Sequence, residues 1–156
     1  MGRIKFFALL LCVLLGPFAY ADHNPLLPRP QQIQYGSGSI PLQGMGIAFS
    51  SSPSSEDRFA AEQLSSFLAE RTGLRLPIQN SGQANGKGPA ILLEREGPSD
   101  PLALPGEKPG PDSREAYDLT VTADGVKIHA RSTAGIYYGV QTLRQLVEGS
   151  AKILAK

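Results

Sequence analysis

The sequence is poor in the side chains that most often build metal and cofactor sites. It contains one cysteine, two histidines and no tryptophan. The cysteine, Cys12, lies in an apolar stretch near the N-terminus, so the rest of the chain has neither disulfides nor thiol ligands. Structural metal sites usually take four ligands, and this composition does not supply them. We therefore predict no metal site and no cofactor, and a domain held together by its hydrophobic core.

Positive and negative charges are nearly balanced in this chain. The chain has 15 Lys and Arg residues against 14 Asp and Glu residues, and no run of basic residues occurs. Nucleic-acid-binding domains usually carry a basic patch or stripe, so we predict no nucleic-acid partner. No apolar stretch after the first 21 residues approaches the length of a membrane span, so we predict no membrane association for the part that follows them.

The N-terminus has the pattern of a secretory signal peptide. Arg3 and Lys5 form a basic start, residues 6–15 carry no charge, and Ala19-Tyr20-Ala21 is a small-x-small cleavage motif. Roughly ten apolar residues are too few for a membrane span of about 20. We predict that residues 1–21 are removed before Asp22 and that the protein is exported, to the periplasm or beyond the cell.

The first half of the remaining chain alternates short strands with one helix. Residues 22–30 contain three prolines and are expected to be extended. Residues 31–42 read as two strands around Gly36-Ser37-Gly38, and residues 46–50 as another strand. A helix capped by Ser52 and ended by Gly73 follows, with five apolar residues on one predicted face: Phe59, Ala60, Leu64, Phe67 and Leu68.

The second half predicts strands, two loops, a hairpin and a closing helix. Residues 74–78 alternate like a half-buried strand, and residues 90–93 are apolar enough for a central one. Residues 80–88 and 97–113 read as loops. Alternating residues on both sides of Ala123-Asp124-Gly125 predict a hairpin. A helix capped by Ser132 and ended by Gly149 follows, with a stripe of Ile136, Val140, Leu143 and Val147. The predicted fold is α+β, a two-layer sandwich of a mixed or antiparallel sheet with two helices on one face.

No set of residues forms a recognisable catalytic centre. The serines of residues 50–55 precede a helix, where caps use serine, and no Gly-x-Ser-x-Gly motif occurs. Glu56 and Asp57 fall in the first helical turn, where the helix dipole favours carboxylates. Glu94 and Glu96 should share one side of a strand, as a glycosidase pair would, but neither is predicted to be buried. We predict no catalytic residues in this chain.

The two histidines are not expected to bind metal. His23 lies in the proline-rich opening segment, and His129 falls on the outward side of the hairpin. A surface histidine on a strand explains His129 without a ligand role, because the cysteines or histidines that would complete a four-ligand site are missing.

The closing helix carries two glycines that need a physical reason. Gly135 and Gly139 are four residues apart, so both face the same way, and each costs a helix about 1 kcal/mol relative to alanine. Either the domain's own sheet or another domain must approach closely there. The rings of Tyr137 and Tyr138 beside them are expected to cover apolar surface while their hydroxyls stay in contact with water. The absence of tryptophan argues against an aromatic sugar-binding platform.

Three blocks of sequence together resemble the exported family 20 glycoside hydrolases, the β-N-acetylhexosaminidases. The blocks are Leu26-Leu27-Pro28-Arg29-Pro30-Gln31-Gln32-Ile33; Phe59-Ala60-Ala61-Glu62-Gln63-Leu64 with Thr72-Gly73-Leu74; and Glu115-Ala116-Tyr117-Asp118-Leu119-Thr120-Val121 with Gly125-Val126-Lys127-Ile128 and residues 134–146. They resemble the non-catalytic N-terminal domain that precedes the catalytic barrel, and residues 22–156 are therefore expected to be such an accessory domain. Related domains precede family 84 and family 67 barrels.

The resemblance implies a partner that this sequence does not contain. In the family, a (β/α)8 barrel carries an adjacent Asp-Glu pair, in which Glu is the general acid and Asp orients the substrate's acetamido group. No Asp-Glu dipeptide occurs here, and the sequence stops about where the barrel is expected to begin. We predict an inactive chain and an exposed seam formed by Tyr137, Leu146 and the Gly135–Gly139 groove, where the barrel or a second copy would bind. Two hypotheses stay open: a fragment or truncated relative of a hexosaminidase, or a free-standing interaction or glycan-binding protein.

Overall fold

The computed structural model describes residues 26–80, 89–97, 99, 105–149 and 152–154. The predicted signal peptide, His23 and residues 81–88 of a predicted loop lie outside these ranges. The elements in chain order are β1 (Ser39–Pro41), β2 (Ile47–Phe49), α1 (Ser55–Thr72), β3 (Ile78–Gln79), β4 (Ala90–Arg95), β5 (Tyr117–Thr122), β6 (Gly125–Ala130), α2 (Thr133–Leu146), β7 (Val147–Glu148) and β8 (Lys152–Leu154).

The main sheet has five strands in the order β3-β2-β4-β6-β5. The β3–β2, β2–β4 and β4–β6 pairs are parallel, and the β5–β6 hairpin is antiparallel. Strand β4 is central because its apolar residues Ile91 and Leu93 are buried between two neighbours. These pairings confirm three predictions: the mixed sheet, the central strand, and the hairpin turned at Gly125.

Both helices pack on one face of this sheet, and they contact each other. Helix α1 contributes Ala60, Ala61, Leu64 and Leu68 to the core, all fully buried. Helix α2 contributes three residues of the predicted stripe, Ile136, Val140 and Leu143, while the fourth, Val147, is buried from β7. The sheet supplies residues such as Ile91, Leu93, Val126 and Ile128. The predicted α+β sandwich is therefore confirmed. Within the described residues, no helix has the length and apolar character that a membrane crossing needs.

A second, smaller sheet was not predicted. Its three antiparallel strands lie in the order β1-β8-β7. It shortens α2, which ends at Leu146 and not at Gly149, because Val147 turns to extended backbone and pairs with Ile153. Short strands of two or three residues carry too little periodicity to be recognised in the sequence.

Four predictions in the first half are wrong in detail. Residues 33–35 form no strand, and Ile33 and Tyr35 are exposed, because no neighbouring strand pairs with them. Helix α1 is capped by Ser54 and not by Ser52. Phe59 is exposed, because the buried face of α1 follows Ala60, Leu64 and Leu68 and leaves Phe59 to one side. The strand predicted at residues 74–78 is reduced to β3, although Leu76 is buried.

Candidate functional surfaces

The N-terminal end of α1 is held by a reciprocal capping box. The Ser54 hydroxyl accepts a hydrogen bond from the Asp57 backbone N–H at 3.2 Å, and the Asp57 carboxylate accepts one from the Ser54 N–H at 2.9 Å. The cap satisfies two backbone donors that the first helical turn would otherwise leave without partners. Asp57 was predicted to sit in this turn, but the box itself was missed because the cap was placed two residues early.

Asp57 also forms a buried ion pair that the sequence did not reveal. Its Oδ2 lies 3.0 Å from Nε of Arg95, and the two side chains are 4% and 15% exposed. Arg95 also donates to the Gly97 carbonyl oxygen, so the pair ties the start of α1 to the end of β4. The gap beside the pair does not admit a water molecule. This arrangement is an anchor between two elements and leaves no room for a ligand.

Glu56, in the same turn, faces water. Hydrogen bonds from its own backbone N–H and from the hydroxyls of Ser54 and Ser55 lower the pKa of the Glu56 carboxyl below its usual 4.5. These are the interactions that a helix N-terminus offers to a carboxylate, in line with the predicted structural role.

The outer face of the main sheet carries the charged side chains that were considered for catalysis. Glu94 and Glu96 both point to this face, as predicted: Glu94 Oε2 lies 2.5 Å from Nζ of Lys127, and Glu96 Oε1 lies 3.0 Å from Nε2 of His129. His129 also lies 3.9 Å from Asp118 through Nδ1. Each glutamate is engaged by a neighbouring strand, which is the pattern of cross-strand pairing on a solvated sheet. Within the described residues, no group of three or more potential ligands is arranged to hold a metal ion.

The two glycines of α2 face the domain's own sheet. A Cβ on Gly135 would lie 2.4 Å from the Ala116 carbonyl oxygen, and one on Gly139 would lie 2.4 Å from Cγ2 of Ile128. The helix therefore packs on the β5–β6 hairpin at a distance that only glycine permits. The hydroxyls of Tyr117 and Thr142 are hydrogen-bonded at 2.6 Å across the same contact. The prediction that this groove forms an exposed seam is wrong, since the hairpin fills it.

Of the two other residues in the predicted seam, Leu146 is buried and Tyr137 is exposed. Leu146 is only 3% exposed, so it belongs to the core and the prediction for it is wrong. Tyr137 and Tyr138 are 39% and 42% exposed, as expected, and their rings meet edge to face with centroids 5.9 Å apart. Stacked sugar rings need a flat aromatic surface, and an interplanar angle of 71° does not provide one.

We call Tyr137, Tyr138, Gln141, Arg144 and Gln145 the α2 outer face. The Arg144 guanidinium lies 4.4 Å from the centre of the Phe67 ring of α1 and donates to Oε1 of Gln141 at 2.7 Å. The Gln145 amide forms paired hydrogen bonds with the backbone of Leu27, accepting from its N–H at 2.8 Å and donating to its carbonyl at 2.7 Å. These bonds fix the N-terminal segment alongside the helix.

A cleft of about 490 Å³ lies between residues 105–114 and the ends of β4 and β6. Two arginines line it, and each is ion-paired: Arg131 with Asp112 at 2.6 Å and Arg114 with Glu107 at 3.9 Å. The mixture of charges favours no single ligand chemistry.

Comparison with protein-family models decides which of the resemblances considered for this chain is correct. Residues 23–156 match the model described as glycosyl hydrolase family 20, domain 2. The chain belongs to glycosyl hydrolase family 20. The match covers the whole described fold, so this α+β sandwich is an accessory domain of that family. A comparison with curated proteins gives no match.

Solved structures of family 20 enzymes contain the same fold. The β-N-acetylhexosaminidase of Streptomyces coelicolor A3(2) is 32% identical with a TM-score of 0.56, over 84% of this chain and 23% of its own. The N-acetyl-β-hexosaminidase of Streptomyces plicatus is 28% identical with a TM-score of 0.56, over 82% of this chain and 24% of its own. Flavobacterium johnsoniae chitobiase has a TM-score of 0.64 at 19% identity, over 81% and 19% of the two chains, and shows the fold alone. The family 20 domain thus spans about a fifth to a quarter of these relatives.

Proposed function

We propose that this domain acts as the non-catalytic accessory domain of a β-N-acetylhexosaminidase, beside a catalytic (β/α)8 barrel that supplies the chemistry. The observation that carries the proposal is the domain-2 match over residues 23–156, together with relatives in which the same fold is a small part of a hexosaminidase. On this proposal the substrates are glycans that end in N-acetylhexosamine, and the barrel makes the contacts with them.

The side chains of the domain support a role outside catalysis. Glycosidases place two carboxylates across the bond that breaks, one of them protonated to act as the acid. Glu94 and Glu96 instead lie on one open sheet face, engaged by Lys127 and His129. Asp57 is enclosed and paired with Arg95. If the barrel supplies both the acid and the orienting carboxylate, this domain needs no catalytic residue of its own.

Export is part of the proposal. The signal-peptide pattern of residues 1–21 supports secretion to the periplasm or beyond, where glycan substrates would be met. N-terminal sequencing of exported protein is expected to find Asp22 as the first residue. An intact Met1 on exported protein would contradict this part of the proposal.

A domain exchange tests the proposed function. Residues 23–156 replace the matching portion of the Streptomyces coelicolor enzyme, and hydrolysis of an aryl β-N-acetylglucosaminide is measured for the fusion, the catalytic portion alone and this chain alone. We expect an active fusion, a less active or less soluble catalytic portion, and no hydrolysis by this chain. As a control, Glu94→Gln with Glu96→Gln should leave the activity of the fusion unchanged. Hydrolysis by this chain alone, lost in that variant, would contradict the proposal, and so would a fusion no better than the catalytic portion alone.

A further inference from the structure

We infer that the free edge of strand β5 is an interface through which two copies of this chain pair, strand against strand. The free edge is the side of Tyr117–Thr122 that faces away from β6, at the end of the main sheet. The pairing would join two five-stranded sheets into one continuous sheet across a two-fold axis. The inference goes beyond the proposed function and does not depend on it, because this edge lies on neither helix and needs no catalytic domain.

The free edge of β5 is open in the part of the chain that the structure describes. Strand β5 is last in the main sheet, and no other described strand pairs with its free side. The opposite end of the sheet is β3, which has only two residues. Natural proteins protect long edge strands with proline, lysine, a bulge or an inward-pointing charge. Strand β5 has six residues in continuous register with β6 and none of these features, and its one charged residue is Asp118.

The apolar side chains of β5 are only half covered by this domain. Tyr117, Leu119 and Val121 pack against the core, but all three remain half-buried. The residues opposite them on β6 are each at most 2% exposed. Strand β6 has a neighbouring strand on both sides, whereas β5 has one on a single side. A strand added at the free edge would therefore remove the remaining apolar surface from water.

The backbone of the free edge is arranged to bond another antiparallel strand. A two-residue turn joins Thr122 to Gly125, and these two residues oppose each other. In such a hairpin the residues that flank the turn exchange hydrogen bonds, and bonded pairs then alternate along the ladder. By this alternation the N–H and C=O groups of Tyr117, Leu119 and Val121 point to the free edge. They are the groups that a second strand would pair with.

The occupant of this edge is a second copy of the same strand, because β5 is complementary to itself. In an antiparallel pair centred on Thr120, the outward-pointing backbone groups of Leu119 meet those of Val121 in the second copy, and the two-fold axis repeats the contact. Both side chains are apolar and lie on the inner face. On the outer face Asp118 lies opposite Thr122 of the second copy, so no like charges meet.

Charges placed on the two-fold axis test this pairing. We expect the purified chain to show a monomer–dimer equilibrium in sedimentation at concentrations up to about 1 mM, since one pair of strands makes a small, transient interface. Thr120→Glu would set two carboxylates face to face across the axis, so the dimer should weaken at least about tenfold. Within its own sheet the new carboxylate lies beside Lys127 and is tolerated. Thr120→Lys should weaken the dimer in the same way, and the two variants mixed in equal amounts should pair again.

Two further variants separate the edge from a general effect of charge. Thr122→Lys places an ammonium group opposite Asp118 of the second copy, so we expect the dimer to tighten by about threefold. Gln63→Lys adds the same charge on the exposed face of α1 and should leave the dimer unchanged. Circular dichroism and thermal unfolding should show a folded domain in every variant, because Thr120, Thr122 and Gln63 are all exposed.

Amide hydrogen exchange reads the edge directly. The Leu119 and Val121 amides should exchange quickly at low concentration and slowly at high concentration, whereas the Thr120 amide, which bonds to β6, should be protected throughout. A wild-type chain that stays monomeric up to about 1 mM would overturn the inference. A dimer that Thr120→Glu leaves intact, or that the mixture does not restore, would also overturn it. Slow exchange of the Leu119 and Val121 amides in the monomer would mean that another segment or a bound peptide occupies the edge, and the inference would again be wrong.

Discussion

The two helices of the domain are built in different ways, although they pack side by side on the same sheet. Helix α1 has six charged residues among 18, a reciprocal cap and a glycine stop, and its outer face is typical of a helix in water. Helix α2 has one charged residue among 14, and its two glycines bring it close to the hairpin. We conclude that α1 combines a buried apolar face with firmly held ends, whereas α2 depends on its close contact with the sheet and carries almost no charge.

The largest loss of stability is expected for a substitution at the start of α1. Asp57→Ala removes the Asp57 half of the capping box and leaves the Arg95 guanidinium without its anion, so we expect a loss of about 3 kcal/mol in the free energy of unfolding. Urea denaturation followed by circular dichroism measures it. The matched control is Asp112→Ala, which removes an exposed partner of Arg131 and should cost less than about 1 kcal/mol. Equal losses in the two variants would show that the buried pair does not anchor α1.

The close contact of α2 is expected to give the next largest effect. Gly135→Ala would place a methyl group against the Ala116 carbonyl and the Ala130 side chain, so we expect a loss of about 2 kcal/mol despite the better helix propensity of alanine. Gly149→Ala, where no atom lies within 4 Å, is the control and should be nearly neutral. A Gly135→Ala variant more stable than the wild type would mean that the helix and sheet are not in tight contact.

The sequence predicted the regular parts of this fold because each has a strong local signal. The hairpin, the central strand and the capping of α2 by Ser132 depend on residues that are close together in the chain. The small sheet was missed because β1 pairs with β8 across more than 100 residues, and no local pattern encodes that pairing. The Asp57–Arg95 ion pair was missed for the same reason.

The candidate surface was predicted only in part. Two exposed tyrosines were recognised from the helical pattern, but Leu146 was placed on the wrong side. For the glycines, the domain's own sheet was one of two open neighbours and is the correct one, while their place in an exposed seam was wrong. Periodicity shows that two glycines share a face. It does not show which neighbour fills the space between them.

The hydroxyl of Tyr117 is hydrogen-bonded inside the domain, whereas Tyr138 lies on the exposed face of α2. Tyr117→Phe removes the hydrogen bond to Thr142, so we expect a loss of about 1 kcal/mol in unfolding free energy. Tyr138→Phe, on the α2 outer face, should change the stability of the uncoupled domain by less than about 0.5 kcal/mol. Thermal denaturation of both variants checks this, and an equal loss in the two would contradict the assignment of Tyr138 to the exposed face.

The smallest effect concerns the pH dependence of α1. The pKa of Glu56 is lower in the folded state than its usual 4.5. The ionised carboxylate therefore stabilises the folded state at pH values above 4.5, and this stabilisation is lost as the pH falls through the folded-state pKa. Glu56→Gln should therefore be slightly less stable than the wild type at pH 7 and lose less stability on acidification. Urea denaturation from pH 7 to pH 3 tests this. Parallel curves for the two proteins would contradict it.

Hydroxyl-radical footprinting measures whether a catalytic domain covers the α2 outer face, as expected for an accessory domain. The method measures the solvent exposure of Tyr137 and Tyr138 in this chain alone and in the fusion with a family 20 catalytic portion. We expect both tyrosines to be modified in the isolated chain and to become protected in the fusion, while the partly exposed imidazole of His129 on the outer sheet face keeps its exposure. Unchanged modification of Tyr137 and Tyr138 in an active fusion would contradict it.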